Sequence, residues 1–290
     1  SRVTGVRHLG PGDSTLADFS YSYDGAGRVV SASGPDGTST YTWDAEGRLG
    51  SERAPTGVLT IYRYDDAGNR VETETNGVVI PYTYNGQNQL TSAGTTSYEW
   101  DADGNLTSRA TPSGTTIFTW NAERKLTEVA GAVGSAAYSW SALGTLASES
   151  LGGVTSRFLG DLATAAGAAA TVLDGAGAVA SRFDHGAGLA AALDAAGNAS
   201  SFHLDGLGNT SLLTNGSGAA TRTYTYDAHG NVTASTGGGT NPYLAATGDG
   251  FRSLKGGLSE GIATAPYDPA AGRYASPSLK GYSGGSNLYT

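Results

Sequence analysis

A short pattern recurs along this chain: an aromatic residue, Asp or Asn, two variable residues, Gly, and an aliphatic residue two places on. It reads Tyr23-Asp24 with Gly27, Trp43-Asp44 with Gly47, Tyr64-Asp65 with Gly68, Tyr84-Asn85 with a displaced Gly86, Trp100-Asp101 with Gly104, Trp120-Asn121, Trp140-Ser141 with Gly144, and Tyr226-Asp227 with Gly230. From Tyr23 to Trp140 successive anchors lie 20, 21, 20, 16, 20 and 20 residues apart. A period this regular requires one continuous array, because each unit must bury its apolar face against its neighbours.

Each unit predicts a β-hairpin. In Tyr21-Ser22-Tyr23, Tyr41-Thr42-Trp43, Tyr62-Arg63-Tyr64 and Tyr82-Thr83-Tyr84 two rings flank one polar residue, which places both rings on one face of a strand. The Asp or Asn that follows can bond the backbone just beyond it, and the Gly supplies the positive φ of a tight reversal. Val29, Leu49, Val71, Leu106, Leu126 and Leu146 then restart the alternation. A second reversal falls midway between anchors, at Gly34-Pro35-Asp36-Gly37, Pro55-Thr56-Gly57, Asn76-Gly77, Pro112-Ser113-Gly114 and Gly152-Gly153. Helix is disfavoured, since Gly costs ~1 kcal/mol at each helix-interior position. The exception is the Ala-rich stretch from Ala163 to Ala199, where helix is the alternative. Within and after that stretch, Leu173-Asp174-Gly175-Ala176-Gly177, Leu193-Asp194-Ala195-Ala196-Gly197 and Leu204-Asp205-Gly206-Leu207-Gly208 keep the turn grammar with Leu for the ring, which reads as degenerate repeats. A twisted strip of such hairpins curls into a spiral wall or tube. It is expected to offer a surface rather than a pocket.

Composition removes several functions. Among 290 residues there are 45 Gly, roughly twice the usual ~7% share, and a formal charge of −9 that repels phosphate backbones, so nucleic acid is not an expected partner. The absence of Cys rules out disulfides, thiolate metal sites and a Cys nucleophile, and fits an extracellular setting. Ser1 to Gly10 lacks the form of a signal peptide, and Leu162 to Leu173 is too short and too rich in Ala, Gly and Thr to span a bilayer. With no Met, the chain reads as a processed piece or a segment of a longer polypeptide.

No catalytic, cofactor-binding or metal-binding residue is expected. His8, His185, His203 and His229 have no metal-pair or triad spacing, and structural hydrogen bonding is the expectation for His203 and His229. Asp101-Ala102-Asp103-Gly104-Asn105 alternates carboxylates but lacks the distal Glu of a calcium loop. Asn105, Asn198, Asn209, Asn215 and Asn231 begin glycosylation sequons that arise mostly from the Gly-Asn-x-Thr wording of the repeat, so a glycan stays open as a partner. Gly25-Ala26-Gly27 and Gly237-Gly238-Gly239 lack the strand-helix setting and the Lys of a phosphate loop and read as turns.

The repeated Tyr-x-Tyr-Asp-x-x-Gly unit resembles the YD repeat of bacterial rearrangement-hotspot (RHS) proteins, Tc toxin C subunits, wall-associated bacterial proteins and teneurins. His203 to Asn209, Tyr224 to Val232, and Asn241-Pro242-Tyr243 near Thr247-Gly248 resemble, in that order, the end of an RHS core; Tyr267-Asp268-Pro269-Ala270-Ala271-Gly272-Arg273-Tyr274, Ser276-Pro277 and Asn287-Leu288-Tyr289 resemble its terminating segment. The resemblance implies a hollow all-β shell that encloses a C-terminal toxin or effector of a secreted protein. Several family members also cut themselves, using Asp-Pro-x-Gly aspartates and an Arg. Here Ser278 stands in the place of the first such Asp, no Arg precedes Tyr267 in Ala263-Thr264-Ala265-Pro266, and a Ser cannot replace a carboxyl acid or base, so self-cleavage is not expected.

The sequence thus predicts regular hairpins over 1–150, degenerate repeats over 151–245 and a terminating segment over 246–290. The expected partners are a C-terminal cargo or further repeats of the same polypeptide. The alternative is an extracellular stalk, tube or filament that assembles through strand edges.

Overall fold

The structure is a computed structural model that describes residues 2–160, 169–185, 189–238, 241–244, 252–260 and 265–277. Apart from one 3-10 turn at Pro11–Asp13, every regular element among these residues is a strand. Twenty-three strands, from Gly5–Leu9 to Val232–Thr236, make one sheet in which each pairs antiparallel with the next. The described part of the Ala-rich stretch is strand too, at Ala169–Leu173, Val179–His185 and Leu189–Asp194. Its branched and apolar residues pack better across a pleated sheet than Ala propensity favours helix. Residues 161–168 and 186–188 of that region lie outside the described set.

The repeat turns share one geometry. Tyr23 pairs with Val29 across a register shift, Asp24 N–H donates to Arg28 O at 2.9 Å, and Gly27 N–H donates to Asp24 O at 3.0 Å with Gly27 at φ 88°. This is a type I turn closed by a left-handed bulge. The Asp side chain completes it: in the fifth repeat Asp101 Oδ1 accepts from Asn105 N–H at 2.8 Å and Oδ2 from Asn105 Nδ2 at 2.9 Å. Two sequence irregularities resolve here. Asn88, at φ 62°, takes the left-handed place that displaced Gly86 leaves, and Arg124, at φ 58°, takes it after Trp120-Asn121. Of the midway reversals, Asn76-Gly77 and Gly152-Gly153 are tighter two-residue turns with both central φ values positive, whereas Pro55-Thr56-Gly57 repeats the anchor-turn geometry.

Alternation sorts the two faces. Tyr21, Tyr62, Tyr98, Phe118 and Tyr138 are buried on the inner one, while the outer one carries Thr and Ser pairs such as Thr42–Ser51, Ser139–Ser148 and Thr223–Thr236. A second, small sheet of two-residue strands runs from Arg252–Ser253 to Arg273–Tyr274. It packs on the inner face, where its Leu254, Leu258, Ala271 and Ala275 join Leu90, Tyr98, Leu106, Phe118, Leu126 and Val129 in one core.

Candidate enclosure surface and its closing segment

The anchor ring ties neighbouring hairpins together. Trp43, Trp120 and Trp140 donate Nε1–H to the carbonyls of Val29, Leu106 and Leu126 at 2.8, 2.6 and 2.7 Å, and the Tyr64, Tyr84 and Tyr226 hydroxyls donate to Leu49, Arg70 and Thr210 carbonyls at 3.0, 2.8 and 2.7 Å. Each acceptor is the first strand residue after the preceding turn. Where the anchor is Trp or Tyr, its far end supplies this donor, which Phe lacks; Leu173, Leu193 and Leu204 hold the same place without it. One anchor escaped the sequence reading. His185 Nε2 bonds Ala169 O at 3.0 Å, and its strand shifts register at that residue as the Trp and Tyr strands do. Phe183-Asp184-His185 is thus a repeat whose ring is an imidazole.

Cations stack between repeats. Arg28 sits over the Trp43 ring, Arg48 over Tyr64 and Lys125 over Trp140, while Arg28 and Arg48 also pair at 2.6 Å with Asp24 and Asp44 of their own turns. The sequon residues are similarly committed: Asn198, Asn209 and Asn231 each donate from the side chain to the Asp of their own turn, as Asn105 does. Both oxygens of Asp101 accept from Asn105, as in other repeat turns. Among the described residues no group of three or more His, Cys, Asp or Glu could hold a metal ion, and no helix is long and apolar enough to cross a membrane.

The strip bends round until its late turns meet its first strands. His8 Nε2 lies 2.8 Å from Leu204 O, Gly206 N–H donates to Tyr21 OH at 2.7 Å, Ala228 N–H to Glu52 Oε2 at 3.1 Å, and Arg70 to His229 Nε2 at 2.9 Å. These contacts join residues 159 to 196 positions apart. Burial raises the Glu52, Asp205 and Tyr21 pKa values, and Asp227 adds to the rise at Glu52. Burial, then the guanidinium of Arg70, lowers His229 to about 4.

The closing segment is held inside by charge-assisted bonds as well as by its apolar residues. Asp268, 2% exposed, accepts from Arg109 at 3.1 Å and from the N–H groups of Ala270 and Ala271. Burial raises its pKa, and Arg109 opposes the rise. Arg273 donates to Asn69 Oδ1 at 3.1 Å and Asn88 O at 2.7 Å and lies over the Tyr84 ring; Arg252 bonds Glu149 at 2.5 Å over Phe158. Ala275 O accepts from Leu106 N–H of the strip at 2.8 Å, and Leu244 O, just before the closing segment, accepts from Thr210 N–H at 2.9 Å. Both donors are first residues after a repeat turn. Between the first hairpins, residues 205–230 and this segment lies a cavity of about 940 Å³, whose lining includes Tyr41, Trp43, Tyr64, Tyr226, Tyr267 and Tyr274. The expectation of a surface without a pocket is corrected: curling and the inserted segment turn one face of the strip into the walls of a chamber. Ser278 to Gly281, Thr247-Gly248 and Asn287-Leu288-Tyr289 lie outside the described residues, whereas Pro266 is placed, its carbonyl accepting from Ala275 N–H at 2.7 Å.

A wound YD ribbon with an inserted end matches one known family along most of its length: the family model of the teneurin YD-shell aligns with residues 13–283. The chain belongs to the teneurin YD-shell family. No curated protein sequence matches it significantly. Among solved structures, this YD-shell segment is similar to a Photorhabdus luminescens Tc holotoxin pore with a mutation in TccC3, at a TM-score of 0.75 and 15% identity over 99% of this chain and 17% of that one. It also aligns with a TcdB2-TccC3-TEV complex, with a TM-score of 0.42 and 13% identity over 98% of this chain and 20% of that one. The YD-shell segment thus spans a fifth or less of the length of either. At such identity the first likeness shows the fold.

Proposed function

We propose that this YD-shell segment is a non-catalytic piece of wall in a closed container. Its role is to keep a C-terminal toxin or other effector of a secreted, extracellular polypeptide away from solvent and targets until the container opens. The observation that carries the reading is the meeting of the strip's late turns with its first strands beside a partly open, aromatic-lined cavity of about 940 Å³. In this reading the hairpins from Gly5–Leu9 to Val232–Thr236 are wall, and the described residues 252–260 and 265–277 are the inner closing segment. Charge fits the role, since a chain of net −9 stays soluble without attracting nucleic acid or anionic lipid.

The filament reading has less support. It would need pairing between copies at Gly5–Leu9 or Val232–Thr236, which among the described residues each pair on one side. Self-cleavage would need a carboxylate where Ser278 stands. The test is limited proteolysis of the full reading frame. Containment predicts that the region beyond the terminating segment resists protease while the shell is folded and is digested once Glu52→Lys opens the seam. Digestion of that region at the same rate with an intact shell would contradict it.

A further inference from the structure

The junction of first hairpins, late turn and closing segment converges on one imidazole. His229 lies in the turn after Tyr226, its N–H held by Asp227 Oδ1 at 2.9 Å. Arg70, from strand Arg70–Thr75, reaches it at 2.9 Å through Nη1 and uses Nη2 to grip Ala271 O of the closing segment at 2.7 Å. The Tyr62 ring meets it edge-on at 5.1 Å. Gly272, at φ 67°, lies so close that a Cβ there would come within 3.1 Å of Arg70 Nη1 and 3.2 Å of His229 Nδ1. Asn231 of the same turn donates to Pro269 O at 2.9 Å.

A guanidinium only donates, so His229 Nε2 must present its lone pair to Arg70 and carry no proton there. Protonation at Nε2 would delete that bond and set two cations in contact where water is excluded. We propose that the Arg70–His229 pair is an acid-sensitive latch, which holds the late turn and the closing segment against the first hairpins when the imidazole is neutral and releases them when it is protonated. This would regulate the container of the preceding reading, but its test needs no cargo.

Other ionisable groups face the junction. Asp227 lies in the same turn and favours the imidazolium; Glu52 caps Ala228 beside it; Tyr62 packs on it; and Tyr267, Asp268 and Arg273 come from the closing segment, with Asp268 paired to Arg109. The burial and the Arg70 charge that lower His229 to about 4 outweigh Asp227. A histidine lowered from 6.5 in the closed state stabilises that state fully above the open-state value and loses this contribution as pH falls toward 4. If the open form titrates normally, the open-to-closed ratio rises ~30-fold between about pH 7.5 and about pH 5.

Hydrogen exchange of the amides of Ala228, Ala271 and Gly272, corrected for intrinsic rate, should show this rise in the full chain. His229→Gln keeps a neutral acceptor for Arg70 and should flatten it. Isotope-labelled histidine NMR on the unsubstituted protein is the second reading, and keeps the test open if the variant does not fold. It should show His229 protonated on Nδ1 at neutral pH and titrating together with the exchange. An equal rise in His229→Gln, a proton on Nε2 at neutral pH, or no rise above about pH 4 would overturn the latch.

Discussion

At the scale of single residues, the repeat is a set of paired hydrogen-bond obligations, which fixes what each substitution should cost. Trp120→Phe keeps the ring but removes the donor to Leu106 O, leaving a carbonyl without its 2.6 Å partner. The expected loss is about 1–2 kcal/mol in urea unfolding. Phe118→Leu, a buried position that needs shape but no donor, should cost a similar amount by packing alone. Asp101→Ala strands both the backbone N–H and the side-chain amide of buried Asn105, and should cost about 1–3 kcal/mol. The turn carboxylates also set an acid limit. Bonds from the side chain and backbone of Asn198 hold Asp194 below its ordinary value, and the N–H of Arg28 does the same for Asp24. Their contribution is present above about pH 4 and is lost as pH falls through the lowered values. A pH series should therefore show stability falling below about pH 4, and Asp194→Asn should blunt the fall.

At the scale of the hairpin, local grammar decides the fold, and the exceptions show how. The turn needs one residue in the left-handed region. Arg124 occupies it without being Gly, so Arg124→Gly should stabilise by about 0.5–1 kcal/mol in thermal unfolding, whereas Gly104→Ala, at φ 87°, should destabilise. Most of this level was legible in the sequence, because ring, Asp and Gly lie within five residues and report one turn. His185 was not, because a lone imidazole after Phe183 carries no aromatic signature, although it bonds Ala169 O as Trp140 bonds Leu126 O. The seam was not legible either. Glu52 meets Ala228 through a main-chain N–H, which every residue but Pro possesses, so no side chain at 228 could announce it. Asp268 and Arg273 were legible only as parts of the terminating motif and Arg252 not at all, because their partners Arg109, Asn69 and Glu149 stand far away in sequence.

At the scale of the whole molecule, the strip and its closing segment share one core and one set of buried charges. Asp268→Ala would leave Arg109 facing an apolar interior and the Ala270 and Ala271 amides uncapped, and should cost about 3–5 kcal/mol. Asp268→Asn, which can still accept, should cost less, and the two can be ranked by denaturant midpoint. In the proposed role, this winding antiparallel ribbon would enclose polypeptide against its aromatic face. Cryo-electron microscopy of the complete reading frame tests this most directly. The account predicts a continuous YD wall with the seam of Tyr21, Glu52 and Arg70 closed, and additional chain density against the inner tyrosines. An open or flat ribbon, or a closed wall whose interior holds only solvent, would contradict it.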